Sequence, residues 1–450
     1  MGTRAAHTVR APRALWTLTP NPAEGLKRLA SAAPGQIVRI AFGPGQIHLI
    51  TEPEHVQQVL RTQWQAFPRE GAMWQQLRRL VGPGILSEGD PWRASRAMLQ
   101  PLFTTRHLDS LSVLIPDVID SWLDQIDARF VKTGTLFDAN TEFTRVIDRI
   151  VVTILFGGAL SRHDTDRLLP AYTRFTSSIT SRILLPSVPS WVPLPGDRAT
   201  RRAVSEVDDV VMPLVRAAVE QSNAGSDVIS TICRARSQET NAEIRQIRND
   251  LVSTHSASVE TTAVTLTWLW PLLHAHPQVA ERLQAEVDSV VGPGPARPDH
   301  LPELRYTRMV LEEVLRLYPA AWVLPRSVGH PVDINGVHLD RGARVVLSPY
   351  VTHRLPTVWA KPQQFDPERF HPDRAGARHR YAYFPFGGGP HQCLGKHLFF
   401  IEASLLIASM LTRFRISLHS SGPYAPIPSV ALRPRRKVEL ELSSRRPTKA

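Results

Sequence analysis

The chain has 450 residues and a formal charge of +12, with 42% hydrophobic and 21% charged residues, enough for a large core in one or two domains. Its two cysteines, Cys233 and Cys393, exclude a disulfide framework and fit a reducing, cytoplasmic setting. Lysine and arginine are dispersed and outside any nucleic-acid motif, which sets nucleic acid aside and leaves a basic face for an acidic protein partner, or plain solubility.

Residues 1–22 carry Arg4, Arg10 and Arg13 without an acid. They lack an apolar secretory core, and Ala6 stands where a myristoylation signal needs Ser or Thr. They read as a flexible lead to a single domain over 23–450. Ile37–Ile40 and Ile47–Ile50 alternate around Gly43-Pro44-Gly45 and predict a β-hairpin. A helical pattern runs from Pro53 to Arg61, and loop-like sequence follows through Gly84. From Trp92 to Val290 helical periodicity dominates, broken by Pro/Gly stretches such as Pro186–Pro195. Ala242–Leu273 predicts one long helix that Pro271 kinks or stops. Strand-like pieces return at Val332–Leu339 and Ala343–Leu347, and Val438–Leu442 alternates. The apolar stretches Thr261–Leu273 and Leu398–Leu411 fall short of a membrane span, so no membrane anchor is expected. The class is mainly α with small β-sheets (α+β).

Several segments carry chemistry. In Asp90-Pro91-Trp92-Arg93-Ala94-Ser95-Arg96, Pro91 suits a first helical turn. Trp92 and Arg96 are four apart, so indole N–H and guanidinium can point the same way. On the long helix lies Ser256-Ala257-Ser258-Val259-Glu260-Thr261-Thr262. Glu313 and Arg316 are three apart in an amphipathic helix and can pair; an isolated surface pair of this kind contributes little. Phe365-Asp366-Pro367-Glu368-Arg369-Phe370 follows. Last comes Phe386-Gly387-Gly388-Gly389-Pro390-His391-Gln392-Cys393-Leu394-Gly395, just ahead of a long apolar helix. The positive end of the helix dipole and free backbone N–H groups favour a thiolate there. A lone cysteine is more often a small buried hydrophobe, but the glycines let backbone approach something flat and large, which points to a deprotonated, metal-bound Cys393.

The pattern Phe-Gly-x-Gly-x-His-x-Cys-x-Gly closely resembles the heme-binding loop of the cytochrome P450 family, with His391 where arginine is usual. The Glu-x-x-Arg helix, the Pro-Glu-Arg-Phe stretch and the cysteine loop stand in the family's order, and the resemblance extends from the first hairpin to the tail. It implies a triangular helical prism around a buried heme b with Cys393 as iron ligand and Phe386 beside the sulfur. It implies propionate binding by Trp92, Arg96, Arg326 and His391, and a buried Glu313–Arg316–Arg369 network. Glu260 and Thr261 match the family's acid–alcohol pair, which relays protons during oxygen activation. Ala257 also matches, but Ser258 replaces the usual glycine, and a serine there can bond the backbone one turn earlier.

By the same resemblance the pocket segments supply Met73, Trp74, Ile183, Trp322 and Val323 beside Ala257, with His255 structural or pocket-lining. The implied reaction inserts one atom of O2 into a bulky apolar molecule, with a terpenoid of secondary metabolism favoured and a fatty acid or polyketide as the alternative. Arg174 and Arg182 are the pocket-region cations that could hold a carboxylate. No reductase is fused, so a separate ferredoxin or flavodoxin with its reductase is implied, docking near Lys396, His397 and Arg106. A peroxide-using or non-oxygenating heme-thiolate enzyme and a non-catalytic heme binder are the competing readings.

Overall fold

The longest element, Asn241–Ala275, is started by a capping box in which Thr240 Oγ1 accepts from the Glu243 N–H and the Glu243 carboxylate accepts from the Thr240 N–H. The structure, a computed structural model, describes residues 6–445 except 43–44, 158–159, 186–187, 190, 221–227, 236–239 and 377. Arg4, the turn residues Gly43 and Pro44, and Pro186 therefore lie outside the described residues. Pro271 does not stop the long helix, which continues to Ala275. The proline has no N–H to give the carbonyl four residues earlier, a single lost bond that the helix tolerates. The helix packs on Ala139–Phe156, and Phe143, Ile147, Ile150 and Ile154 join Val259, Ala263, Val264 and Trp268 in the largest hydrophobic core.

Among the described residues the strands are β1 (His7–Arg10), β2 (Val38–Phe42), β3 (Gly45–Ile50), β4 (Phe137–Asp138), β5 (Leu324–Ser327), β6 (Val332–Ile334), β7 (Val337–Leu339), β8 (Arg344–Leu347), β9 (Phe414–Leu418), β10 (Pro426–Pro428), β11 (Leu432–Pro434) and β12 (Glu439–Ser444). The main sheet has the order β1-β2-β3-β8-β5. β2 and β3 form the expected antiparallel hairpin, with Ile40 opposite Ile47. β8 joins β3 in parallel and β5 joins β8 antiparallel. The sheet thus fastens the first fifty residues to residues 324–347 and fixes Arg326 on β5.

Two expectations are corrected here. Residues 7–18, read as part of a flexible lead, form β1, parallel to β2, and a helix, Ala11–Leu18, whose Ala14 is buried. The pairing partner lies thirty residues away and leaves no local trace. The segment read as loop through Gly84 contains the helix Ala72–Val81, which buries Trp74, Leu80 and Val81 and ends at Gly71 (φ 103°) and Gly82 (φ 68°).

The helix Arg305–Leu317 carries Glu313 and Arg316, both 0% exposed. Arg316 donates twice to the Glu313 carboxylate, at 2.7 and 2.8 Å. Its remaining N–H groups reach the carbonyls of His353, Pro362 and Gln364 at 2.8, 2.8 and 3.0 Å. Glu313 also accepts from the Asp366 N–H at 2.9 Å, and Arg369 Nε lies 3.4 Å away. Arg369 itself holds the carbonyls of Ala360 and Lys361. A buried pair is costly to desolvate and stable only when its spare donors and acceptors are used, as these are. Removing Arg316 leaves Glu313 buried without its main counter-charge. Arg316→Ala is expected to cost about 3–5 kcal/mol, measured as the loss in urea-unfolding free energy; a change under about 1 kcal/mol would mean that the pair behaves as a surface ion pair.

Candidate active site

Cys393 sits on a loop that only glycine can build. Gly389 has φ of 65°, in the region that favours glycine, and a Cβ there would lie 1.8 Å from the Leu60 carbonyl oxygen. The Gly387 N–H closes on Phe384 O, and the Cys393 N–H on Phe386 O, each at 2.9 Å. Phe386 packs on Phe399 and Phe400, seating the loop on the first turn of the helix Lys396–Arg413, whose residues from Leu398 to Leu411 are all buried. Burial raises the Cys393 thiol above its usual range, while the Gly395 N–H and the Arg96 charge oppose that rise. The side chain is nevertheless accessible. Both hold when a sulfur faces an internal space within dense protein. A cation bound at the sulfur would reverse the balance and favour thiolate.

Beside this loop lies a cationic cluster. The His391 and Trp92 rings pack at 4.3 Å between centroids, tilted by 55°, and His391 Nε2 is 3.3 Å from the Glu88 carboxylate. Arg69, 5% exposed, donates to Glu88 at 2.9 Å and to the carbonyls of Ile85 and Ser87. Burial pushes the Glu88 carboxyl up, but His391 and Arg69 more than offset it and bring it to about 2. Arg326 is 6% exposed. Burial, aided by the nearby Arg69 charge, lowers its guanidinium to about 9. Its hydrogen bond among the described residues goes to its own neighbour, Pro325 O, at 2.8 Å, and the buried Trp92 Nε1 has no partner there. Buried donors without acceptors are rare in folded proteins. Here Arg69 and Arg326 face the single carboxylate of Glu88, with a bare indole N–H alongside. The donor set fits the two carboxylates of a heme whose iron would lie at Cys393.

Two expected site residues are placed differently within this region. Arg96 donates to Gln392 O at 2.7 Å and to Gln100 at 3.0 Å, so it braces the cysteine loop. Trp74 is not on an apolar wall: its Nε1 donates to Pro325 O at 3.0 Å, and the guanidiniums of Arg69 and Arg326 each lie 5.7 Å from its ring. It packs within the cationic cluster.

The long helix carries the remaining expected residues. Ala257 is exposed in mid-helix while its neighbours at 255 and 259 are buried. Thr261 Oγ1 donates to Ala257 O at 2.7 Å and Ser258 Oγ to Thr254 O at 2.8 Å; such back-bonding bends a helix. Glu260 does not bond to Thr261. It accepts from Arg433 Nη2 at 2.6 Å and Nε at 3.1 Å, on β11. His255 does not line this face. Two residues from Ala257, it points to the far side of the helix, is 1% exposed and lies 2.9 Å from Asp148, with the Tyr172 ring at 5.0 Å. Met73 and Ile183 are half-buried. Trp322 Nε1 donates to Ser429 O at 3.0 Å, and Trp322 and Val323 pack on the core beneath the main sheet.

Sequence reasoning missed four residues. Arg69 and Glu88 complete the cationic cluster. His353, 0% exposed, accepts from the Phe384 N–H through Nε2 at 2.9 Å, with Nδ1 3.3 Å from Arg316 O. Burial holds it well below the usual imidazole range, so it is neutral, with its proton on Nδ1. Glu402 receives the Thr262 hydroxyl at 2.8 Å and is 1% exposed. Their partners are not local, and only Glu402, a lone acid inside an apolar run, carries a mark in the sequence.

The family model described as Cytochrome P450 matches residues 17–442. The chain is 28% identical over 440 residues to pentalenene oxygenase of Streptomyces avermitilis, covering 96% of this chain and 95% of that protein. It is 31% identical over 404 residues to cyclooctat-9-en-7-ol 5-monooxygenase of Streptomyces melanosporofaciens, covering 87% and 85%. The solved heme domain of cytochrome P450DA superposes with a TM-score of 0.86 at 22% identity, over 99% of each chain, a likeness of fold. Among the described residues no group of three His, Cys, Asp or Glu could hold a metal ion, and no helix is long and apolar enough to cross a membrane.

Burial raises Glu402 to about 8, against the Thr262 hydrogen bond. The folded state therefore holds a proton that the unfolded chain releases near the ordinary carboxyl value. This contribution favours folding below that value and is lost as pH rises towards about 8. The urea midpoint of the wild type is expected to decline between about pH 5 and pH 8, and that of Glu402→Gln to decline less. Equal slopes for the two proteins would show that Glu402 is ionised when folded.

Proposed function

The chain belongs to the cytochrome P450 family, and from that membership we propose that it is a heme b monooxygenase, with Cys393 as axial ligand, that oxidises a bulky terpenoid using electrons from a separate ferredoxin or flavodoxin and its reductase. The family's enzymes use O2, reducing partners and hydrophobic substrates, and this chain is a cytochrome P450 monooxygenase. The observation that carries the site assignment is the pairing of one thiol, at the start of a buried helix, with a neighbouring excess of buried cationic donors.

Heme, when bound, supplies the iron at which O2 is reduced and one oxygen atom is passed to the substrate. The chain's residues do the rest. Gly395 N–H and Arg96 stabilise negative charge on Cys393 sulfur. Arg326, Trp92, His391 and Arg96 would hold the propionates, Arg96 also bracing the loop through Gln392 O. Thr261, on the face that exposes Ala257, is placed to hold a water or an oxygen atom by its hydroxyl. Two acids adjoin it: Glu260, its chain neighbour, paired with Arg433, and Glu402, which accepts from the next residue, Thr262. Either could move a proton to the Thr261 side of the helix, and Glu260 is the one that matches the relay position.

An apolar substrate is supported by the fate of the pocket-region arginines. Arg174 is paired with Glu206, and Arg182 is held by Asp197 at 2.6 Å, so neither is left to hold a fatty-acid carboxylate. The relatives named for pentalenene and cyclooctat-9-en-7-ol support a cyclic terpenoid. The ferredoxin assignment is supported by Lys396, His397 and Arg106, which lie on two contacting helices behind Cys393. Arg308, whose guanidinium lies over the Phe400 ring, and Arg380 add charge near Lys396. An acidic partner suits such a face.

The test is turnover of holoenzyme with a ferredoxin, its reductase and NADPH against cyclic terpenes and fatty acids under labelled O2. The expected product is a terpene carrying one labelled oxygen, and Thr261→Ala is expected to lower product per NADPH at least about tenfold. Oxidation of fatty acids but not terpenes would overturn the substrate assignment. Turnover with peroxide and none with ferredoxin would overturn the partner assignment.

A further inference from the structure

The cationic cluster beside Cys393 holds an acid, Glu88. It immediately precedes the helix Gly89–Leu99, which carries Trp92 and Arg96, and its side chain is 21% exposed. One carboxylate oxygen accepts from the Arg69 backbone N–H at 2.8 Å and from Arg69 Nε at 2.9 Å. The other lies 3.3 Å from His391 Nε2. The remaining nitrogens of Arg69 are engaged as well, Nη1 with Ile85 O at 3.0 Å and Nη2 with Ser87 O at 2.5 Å. Arg69 therefore brings the cluster a charge rather than a free donor, and its guanidinium lies 5.7 Å from the Trp74 ring and 6.0 Å from the Trp92 ring. Burial opposes ionisation of Glu88, but His391 and Arg69 outweigh it, so the carboxylate is charged at neutral pH. Charges this far from solvent are poorly screened. Arg326 feels both members of the pair: the Arg69 charge adds to burial in lowering its guanidinium, and the Glu88 charge opposes them.

Heme brings two carboxylates of its own, and a third held against His391 repels them. We propose that Glu88 and Arg69 set the charge of the cofactor pocket in opposition: Glu88 weakens the grip on the propionates and lowers the reduction potential of the heme, and Arg69 limits both effects. This inference rests on the assignment of Arg326, Trp92, His391 and Arg96 to the propionates. Neither Glu88 nor Arg69 needs a bond to the heme; both are positioning residues that act through the field at Arg326, His391 and the propionates. One-electron reduction by the ferredoxin adds a negative charge to the heme, which a fixed carboxylate nearby disfavours and a guanidinium favours. A merely structural pair behaves differently. Loss of either partner would leave the other buried and unpaired, and both losses would loosen the site. Opposed charges give the two losses opposite signs.

The test compares holoprotein of wild type, Glu88→Gln, Arg69→Gln and the double variant by two readouts: the midpoint potential from spectroelectrochemical titration, and the rate of heme transfer from the ferric protein to excess apomyoglobin. Glu88→Gln keeps an oxygen for the Arg69 donors. It is expected to raise the potential and to slow heme transfer about tenfold. Arg69→Gln is expected to lower the potential and to speed transfer, and the double variant to return close to wild type in both. A lower or unchanged potential in Glu88→Gln overturns the inference, as does faster heme transfer in that variant. Glu88→Gln decides by its sign alone should Arg69→Gln fail to fold. Wild-type protein that takes up no heme overturns the propionate assignment and this inference together. Holoprotein in which the two single variants shift in the same direction overturns this inference and leaves the assignment standing.

Discussion

The Glu313–Arg316 pair is the constraint on which the rest of the site depends. Two charges taken fully out of water cost several kcal/mol each, and nothing at the surface would make that arrangement worthwhile. Arg316 is useful because its spare donors gather three carbonyls from residues 353–364, a stretch with little regular structure of its own. His353 carries the connection onward. One end of its neutral ring faces Arg316 O and the other takes the Phe384 N–H, two residues before Phe386. Phe384 and Phe386 then accept the N–H groups of Gly387 and Cys393. A continuous series of hydrogen bonds thus runs from a buried ion pair to the sulfur-bearing residue. Rigidity at Cys393 is inherited from it.

The two sides of the site have opposite electrostatics. Arg326, bonded among the described residues to Pro325 O, and Trp92, whose indole N–H has no partner there, offer donors that suit a dianionic edge, and Arg69 adds its charge beside them. On the long helix the polar groups are hydroxyls turned back on carbonyls, with Glu402 kept neutral by burial and Glu260 occupied by Arg433. Charge is concentrated on the side proposed to hold a cofactor, and neutral or paired acids on the side proposed for oxygen chemistry. This division follows from burial and pairing.

Much of this was legible in local sequence. The β2–β3 hairpin announces itself by alternation around a Gly-Pro-Gly turn, the long helix by its unbroken period, and the cysteine loop by glycines whose spacing few structures demand. What was hidden depends on distant partners. β1 needs β2 to exist, so Arg10 and its neighbours read as a free lead. The helix Ala72–Val81 carries its apolar residues at both ends around Gln75, Gln76, Arg78 and Arg79, too short a stripe to separate from loop. His255 was placed near the pocket by its neighbours in sequence, but a two-residue step on a helix turns the side chain to the far side, where Asp148 meets it. Trp74 reads as apolar lining until Pro325 and two arginines arrive around it.

The most direct test of the central claim, that the hydrogen-bonded loop presents Cys393 as a thiolate to heme iron, is the absorption spectrum of reduced holoprotein under carbon monoxide. Wild type should give the far-red-displaced Soret band of thiolate ligation, and Cys393→Ala should lose it. A wild-type preparation that takes up no heme, or a variant that keeps the displaced band, would contradict the account.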